Sequence, residues 1–181
     1  MTPAGYMAKR VVKRPEWIRA PGVRDIYSLC GCISEYFADY IGYWKHNGYW
    51  LFDSVEALRS LALEHSIPIE DCRIFYYEVF EREYDDENIE WRAFAPDKGF
   101  VTSVIPPRNK RLEGFDVVTF SACASPECSP LSCNNLAATI RTNEHCLFSS
   151  FEDARARLEA GDFEASEPGP FRIVAVYTLV E

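Results

Sequence analysis

One stretch of this chain occurs twice. Asn47-Gly-Tyr-Trp-Leu-Phe-Asp-Ser54-Val-Glu56-Ala-Leu-Arg59 returns 96 positions later as Asn143-Glu-His-Cys-Leu-Phe-Ser-Ser150-Phe-Glu152-Asp-Ala-Arg155, with Asn, Leu-Phe, Ser, Glu and Arg identical. Each copy runs on through a helical stretch into an aromatic-rich strand, Cys72-Arg-Ile-Phe-Tyr-Tyr77 in one case and Phe171-Arg-Ile-Val-Ala-Val-Tyr177 in the other. A unit that recurs at this length has to fold the same way twice, and its copies bury their apolar faces against one another. The expectation is an internally duplicated α+β protein. Helix-strand-helix-strand units over about 33–104 and 115–181 share one mixed, largely antiparallel sheet with helices packed on it.

Local patterns supply the elements. Ile33, Tyr36, Phe37, Tyr40, Ile41 and Trp44 fall on one helical face, which Asn47-Gly48 ends. Tyr49 to Phe52 reads as a short strand, and Ser54 caps a helix carrying Val55, Leu58, Leu61 and Ala62. Arg73 to Glu83 is apolar on both faces as far as Phe80, as in a central strand, and the acidic turn 84–88 returns it as a hairpin through Ile89 to Phe94. In the second half Phe115 to Phe120 is a strand, and the turn-rich run from Cys123 to Asn135 opens a helix through Leu136, Ala137 and Ile140. Ser150 with Asp153 has the pattern of a capping box, and Phe171 to Val180 is the closing strand.

The 181 residues suffice for one domain with a substantial core. No apolar run approaches the length of about 18 residues that a membrane helix needs, and the first ten residues lack the apolar segment of a secretory signal. Seven cysteines, an odd number set among ordinary helix and strand patterns, fit reduced thiols in a cytoplasm better than a disulfide framework. The net charge of −9 is uneven: residues 1–24 carry six basic groups against Glu16 alone, a net +5, which leaves −14 on the rest. Residues 1–24 therefore read as a basic, proline-containing arm beside a single acidic domain at 25–181. So acidic a body repels nucleic acid and attracts a basic protein.

Ser125-Pro-Glu-Cys-Ser-Pro-Leu-Ser-Cys-Asn134, taken with Phe37-Ala-Asp-Tyr-Ile-Gly-Tyr-Trp-Lys-His-Asn-Gly-Tyr-Trp50, resembles a family of uncharacterised bacterial proteins of similar length. The resemblance spans nearly the whole chain. It implies a bacterial, cytoplasmic, single-domain protein and supplies no catalytic residue.

Three chemistries are open to the chain. Cys128, Cys133, His145 and Cys146, with Cys123 nearby, are residue types that hold structural zinc, although paired Cys-x-x-Cys knuckles are lacking and Cys146 stands at the core position of Trp50. Cys133, placed at a helix N-terminus, becomes a nucleophile if His145 serves as its base. Tyr43 and Tyr49, aromatic residues among acids, form the third candidate, a protein-binding surface. Phosphate loops, nucleophile elbows and zincin helices are absent, and no cofactor is expected. The leading expectation is an acidic binding or inhibitory module, like a bacterial immunity protein, that masks a basic partner. A cysteine enzyme and a metal-stapled structural protein follow.

Overall fold

Two long strands with two apolar faces each need neighbours on both edges, and the chain supplies them. The computed structural model describes residues 1–29, 33, 47–119 and 128–180. Its strands are β1 (Thr2–Lys9), β2 (Val12–Lys13), β3 (Asp25–Ile26), β4 (Arg73–Asp85), β5 (Glu90–Ala93), β6 (Lys110–Thr119) and β7 (Phe171–Leu179). The helices are α1 (Val55–Glu64), α2 (Pro130–Cys133) and α3 (Phe151–Glu159), with a 3-10 turn at Leu136–Ala138. The main sheet runs β1-β4-β7-β6, and β5 continues the β1 edge along the far end of β4. The protein is α+β, and every strand pairing among the described residues is antiparallel, where a mixed, largely antiparallel sheet was expected.

The central pair of the main sheet is β4 and β7, in which Phe75 faces Thr178 and Val79 faces Val174. Arg73, Phe75 and Val79 of β4 correspond in sequence to Arg172, Val174 and Thr178 of β7.

Residues 1–24 do not form the separate arm that their charge suggested. Ala4, Tyr6, Met7 and Ala8 are buried in β1, Lys9 is buried with its ammonium on the Ser28 carbonyl, and Ile18, Ala20 and Val23 enter the core. Short residues hide this strand from a periodicity reading, and Pro3 suits it to an edge. The helix anticipated through Leu136 to Ile140 is interrupted instead. Asn135 takes a left-handed φ of 57° and separates α2 from the 3-10 turn. The helix expected from Ile33 to Trp44 lies outside the described residues, apart from Ile33 itself.

Each outer edge strand is covered by one of the two similar stretches. Tyr6 of β1 bridges Phe52 and Phe115 of β6 bridges Phe148, so each edge is partly capped by backbone pairing. The bridging depends on glycine. Gly5 at φ 136° and Gly114 at φ 150° each sit at a register shift, and a Cβ on either would stand 2.5 or 2.6 Å from the Phe52 or Phe148 carbonyl. Ser54 and Ser150 then cap α1 and α3, accepting from the amides of Ala57 and Asp153 at 3.1 Å. The apolar interior forms two clusters, one around Tyr6, Phe52, Leu58 and Phe75, the other around Phe148, Leu158, Phe171 and Ile173.

Candidate functional site

An asparagine organises each of the two similar stretches. Oδ1 of Asn47 accepts from the amides of Tyr49 and Leu51 at 2.9 and 3.1 Å, while its Nδ2 donates to the Ala4 carbonyl at 2.9 Å. Asn143 repeats the arrangement: Oδ1 takes the amides of His145 and Leu147 at 2.9 and 3.1 Å, and Nδ2 donates to the Glu113 carbonyl at 2.7 Å. The turn this creates places Trp50 and Cys146 at left-handed φ values of 61° and 62°. A crossing segment closes each loop, since the amide of Asp97 donates to the Gly48 carbonyl and that of Arg24 to the Glu144 carbonyl, both at 2.8 Å. Two cradles of like backbone result, and their contents differ.

The first cradle is largely packing. Tyr49 rests against Phe94, with ring centroids 5.7 Å apart, and the Arg172 guanidinium lies 3.4 Å from the centre of the Phe94 ring. Ala4, Leu51 and Val174 line the same small space. Arg172 is answered by Glu83, whose Oε2 accepts at 2.9 and 3.1 Å, and burial lowers the arginine to about 10 even though that hydrogen bond opposes it.

The second cradle holds ionisable groups. His145, 6% exposed, stacks on Tyr27 with centroids 3.9 Å apart and planes 11° from parallel. Its Nδ1 stands 2.5 Å from Asp25 Oδ1, while Nε2 faces Glu113 Oε2 and Glu144 Oε1, each at 3.7 Å and beyond hydrogen-bond reach. The bulge at Gly114 aims the Glu113 carboxylate inward, where it meets Thr178 Oγ1 and, at 2.8 Å, Arg111. Arg24 bridges Asp25 and Glu144 at 3.1 and 2.8 Å. Arg73 donates to the Tyr27 hydroxyl, whose pKa burial raises and Arg73 pulls back. Asp25 fixes one imidazole nitrogen and leaves the other facing Glu113 and Glu144, so the ring is oriented and enclosed.

A second buried acid lies three residues further along β6 from Glu113. Asp116 on β6 is 0% exposed; its Oδ2 accepts from the Leu29 amide at 2.8 Å and the Ser129 hydroxyl at 2.7 Å, while Oδ1 has no hydrogen-bond partner among the described residues. Burial raises its pKa to about 6, against the pull of Ser129, Leu29 and Lys9. The residues 25–29 thus run between two acidic centres, tied to His145 through Asp25 and to Asp116 through Leu29.

The residues singled out in the sequence scatter. Cys133 ends α2 and does not begin it, and the contacts given for His145 are with Asp25, Glu113 and Glu144. Cys146 is fully buried, as its alignment with a core position suggested, and Cys128 is buried with Sγ 3.4 Å from Asn134 Oδ1. Among the described residues no group of three or more His, Cys, Asp and Glu is arranged to hold a metal ion. Tyr49 is half-buried in the first cradle, and burial raises its pKa, while Tyr43 lies outside the described residues. Asp25, Tyr27, Arg73 and Glu113 escaped the sequence reading. Their one signal was indirect, a glycine following Glu113 and a histidine where the other copy has tyrosine. No family model matches the chain, and no curated protein or solved structure is similar to it.

Proposed function

We propose that the protein is a binding module of the bacterial cytoplasm that masks a basic protein partner, as an immunity protein does. Its two halves, at about 2–85 and 110–179, descend on this reading from one duplicated strand-helix-strand unit. The observation that carries the reading is the company His145 keeps. A histidine serving a cysteine nucleophile presents a nitrogen to the sulfur, whereas this one is held by Asp25, stacked on Tyr27 and fenced by Glu113 and Glu144. Charge supports it from outside. Arg10 pairs with Asp71, and Arg24 with Asp25 and Glu144, so part of the basic charge of residues 1–24 is paired within the chain, while Glu56, Glu64, Glu70, Glu81, Asp86, Glu87 and Glu90 are exposed. Such a surface steers a basic partner inward and repels phosphate backbones. Among the described residues no helix is long and apolar enough to cross a membrane.

The test measures association with the partner recovered from a bacterial host, and in parallel the alkylation of Cys133. The on-rate is expected to fall steeply between low and physiological salt, because steering is screened over roughly 8–10 Å, with Cys133 alkylated no faster than an ordinary thiol. A salt-insensitive association, or a Cys133 that reacts far faster and loses this on His145→Phe, overturns the reading.

A further inference from the structure

The outer faces of α1 and α3 can be compared position by position, because Arg59, Leu61 and Leu63 stand 96 residues before Arg155, Arg157 and Glu159. On α3 the first arginine is paired within the helix, Arg155 with Glu159 at 2.8 Å, and Arg157 brings a cation to the last turn. On α1 neither feature survives. Leu63 occupies the place of the paired acid and is 84% exposed, while Arg59 forms no ion pair among the described residues. Leu61 packs toward the core where Arg157 stands on α3, and the last turn of α1 has no basic residue.

Leu63 does not stand by itself in water. It lines a groove of about 680 Å³ between the C-terminal half of α1 and residues 66–74, together with the half-buried Ile67, Ile69 and Ile74. Ile69 and Ile74 rest from behind on the core cluster around Tyr6 and Phe52, so the apolar side of the groove is backed by packed interior. A single exposed leucine is ordinary, but one that overlooks three half-buried isoleucines in the same concavity makes a contiguous apolar surface of the kind that marks a contact site. Neither cradle uses it.

Charge decides what the groove fits. α1 ends on the exposed Glu64, and the exposed Glu70 lies on the opposite wall. The negative end of the α1 dipole therefore has an added carboxylate and no cation from its own last turn. Asp71, next along the chain, is met by Arg10 at 3.7 Å, but Glu64 and Glu70 form no ion pair among the described residues. Arg59 is the basic side chain on the wall, more than a turn back from the helix end, and it is outnumbered there.

We propose that this groove docks an apolar segment of a protein partner that carries lysine or arginine beside its apolar residues. The apolar side chains cover Leu63 and the three isoleucines, and the cation supplies the end of α1 with the charge that Arg157 supplies to α3. The docking site rests on the reading of the protein as a binder of basic partners and names the surface by which it binds.

Cys72, a half-buried free thiol lining the groove, provides the readout, and Cys133, which does not line it, the internal control. Alkylation of Cys72 by iodoacetamide, followed site by site in the whole protein, should slow saturably as acetyl-Leu-Lys-Leu-Leu-Lys-amide is added. Acetyl-Ser-Lys-Ser-Ser-Lys-amide keeps the charge without the apolar groups, and acetyl-Leu-Glu-Leu-Leu-Glu-amide keeps the apolar groups with the charge reversed; each should need about fivefold more peptide for the same protection. Leu63→Gln, a change at an exposed side chain, should shift the midpoint for the lysine peptide about fivefold, and Glu70→Gln about twofold. No protection by the lysine peptide, equal protection by either control peptide, or an unchanged midpoint in Leu63→Gln overturns the groove. A salt-sensitive complex with a basic partner that forms equally well in Leu63→Gln retires the groove alone and leaves the binding reading standing. Loss of that complex in the variant, with its fold intact by NMR, supports both.

Discussion

The two cradles share a backbone and differ in what they enclose. Asn47 and Asn143 make the same three hydrogen bonds, Gly5 and Gly114 admit the same close carbonyl, and Ser54 and Ser150 cap the following helices alike. Yet Tyr49 answers to His145, Phe94 to Tyr27, Gly48 to Glu144, Ala4 to Glu113 and, one turn of the pleat along, Met7 to Asp116. A scaffold that works with Tyr49 against Phe94 in one place has no structural need of Asp25, Glu113 and Glu144 in the other. Stability explains the first cradle, and the charged content of the second is what function is left to explain.

The largest effect should be common to both halves and so tests the scaffold. Phe52 and Phe148 are 2% and 1% exposed, and truncating either to alanine is expected to cost about 3–5 kcal/mol in urea unfolding. A loss below about 0.5 kcal/mol in one of them would break the equivalence.

The next experiment separates the contents. Tyr49→Phe removes one hydroxyl from a half-buried ring and should cost less than about 1 kcal/mol, as expected of a packing residue. His145→Phe keeps the stacking shape but removes the close imidazole partner of the Asp25 carboxylate, and should cost about 1–3 kcal/mol. Restoration of part of this loss by adding Asp25→Asn would identify the Asp25 carboxylate as its source. Equal costs for the two single variants would mean the cradles differ in appearance only.

A smaller and pH-dependent contrast concerns Asp116, which occupies the β6 position matching buried Met7 of β1. Its carboxyl keeps its proton to about pH 6 in the fold, against 3.8 for an unburied group. The folded chain therefore binds the proton more tightly, and stability is highest below pH 4 on this account and declines as pH rises through 6. The decline amounts to at most about 3 kcal/mol, since each unit is about 1.4 kcal/mol. Asp116→Asn keeps an oxygen for Leu29 and Ser129 and should flatten the profile between pH 4 and 6, measured by thermal unfolding across that range. An unchanged slope in the variant would remove Asp116 as its origin.

The sequence alone determined the elements whose signals are local. Ser54 and Ser150 announced their helices, the two-faced run from Arg73 announced the central strand, and the repeated Asn, Leu-Phe and Ser announced that two regions would be built alike. Tertiary structure decided what no neighbour in sequence encodes. β1 is a strand because Gly5 lets it take the Phe52 carbonyl, and Asn135 breaks a helix that its neighbours favoured. His145 found Asp25, 120 residues away, and not a cysteine, because the orientation of a side chain on a turn is fixed by the bulge and crossing segment that pack on it. Periodicity records which residues avoid water. It is silent about which buried ionisable groups meet, since their pairing is settled by distances that exist only once the chain has closed on itself.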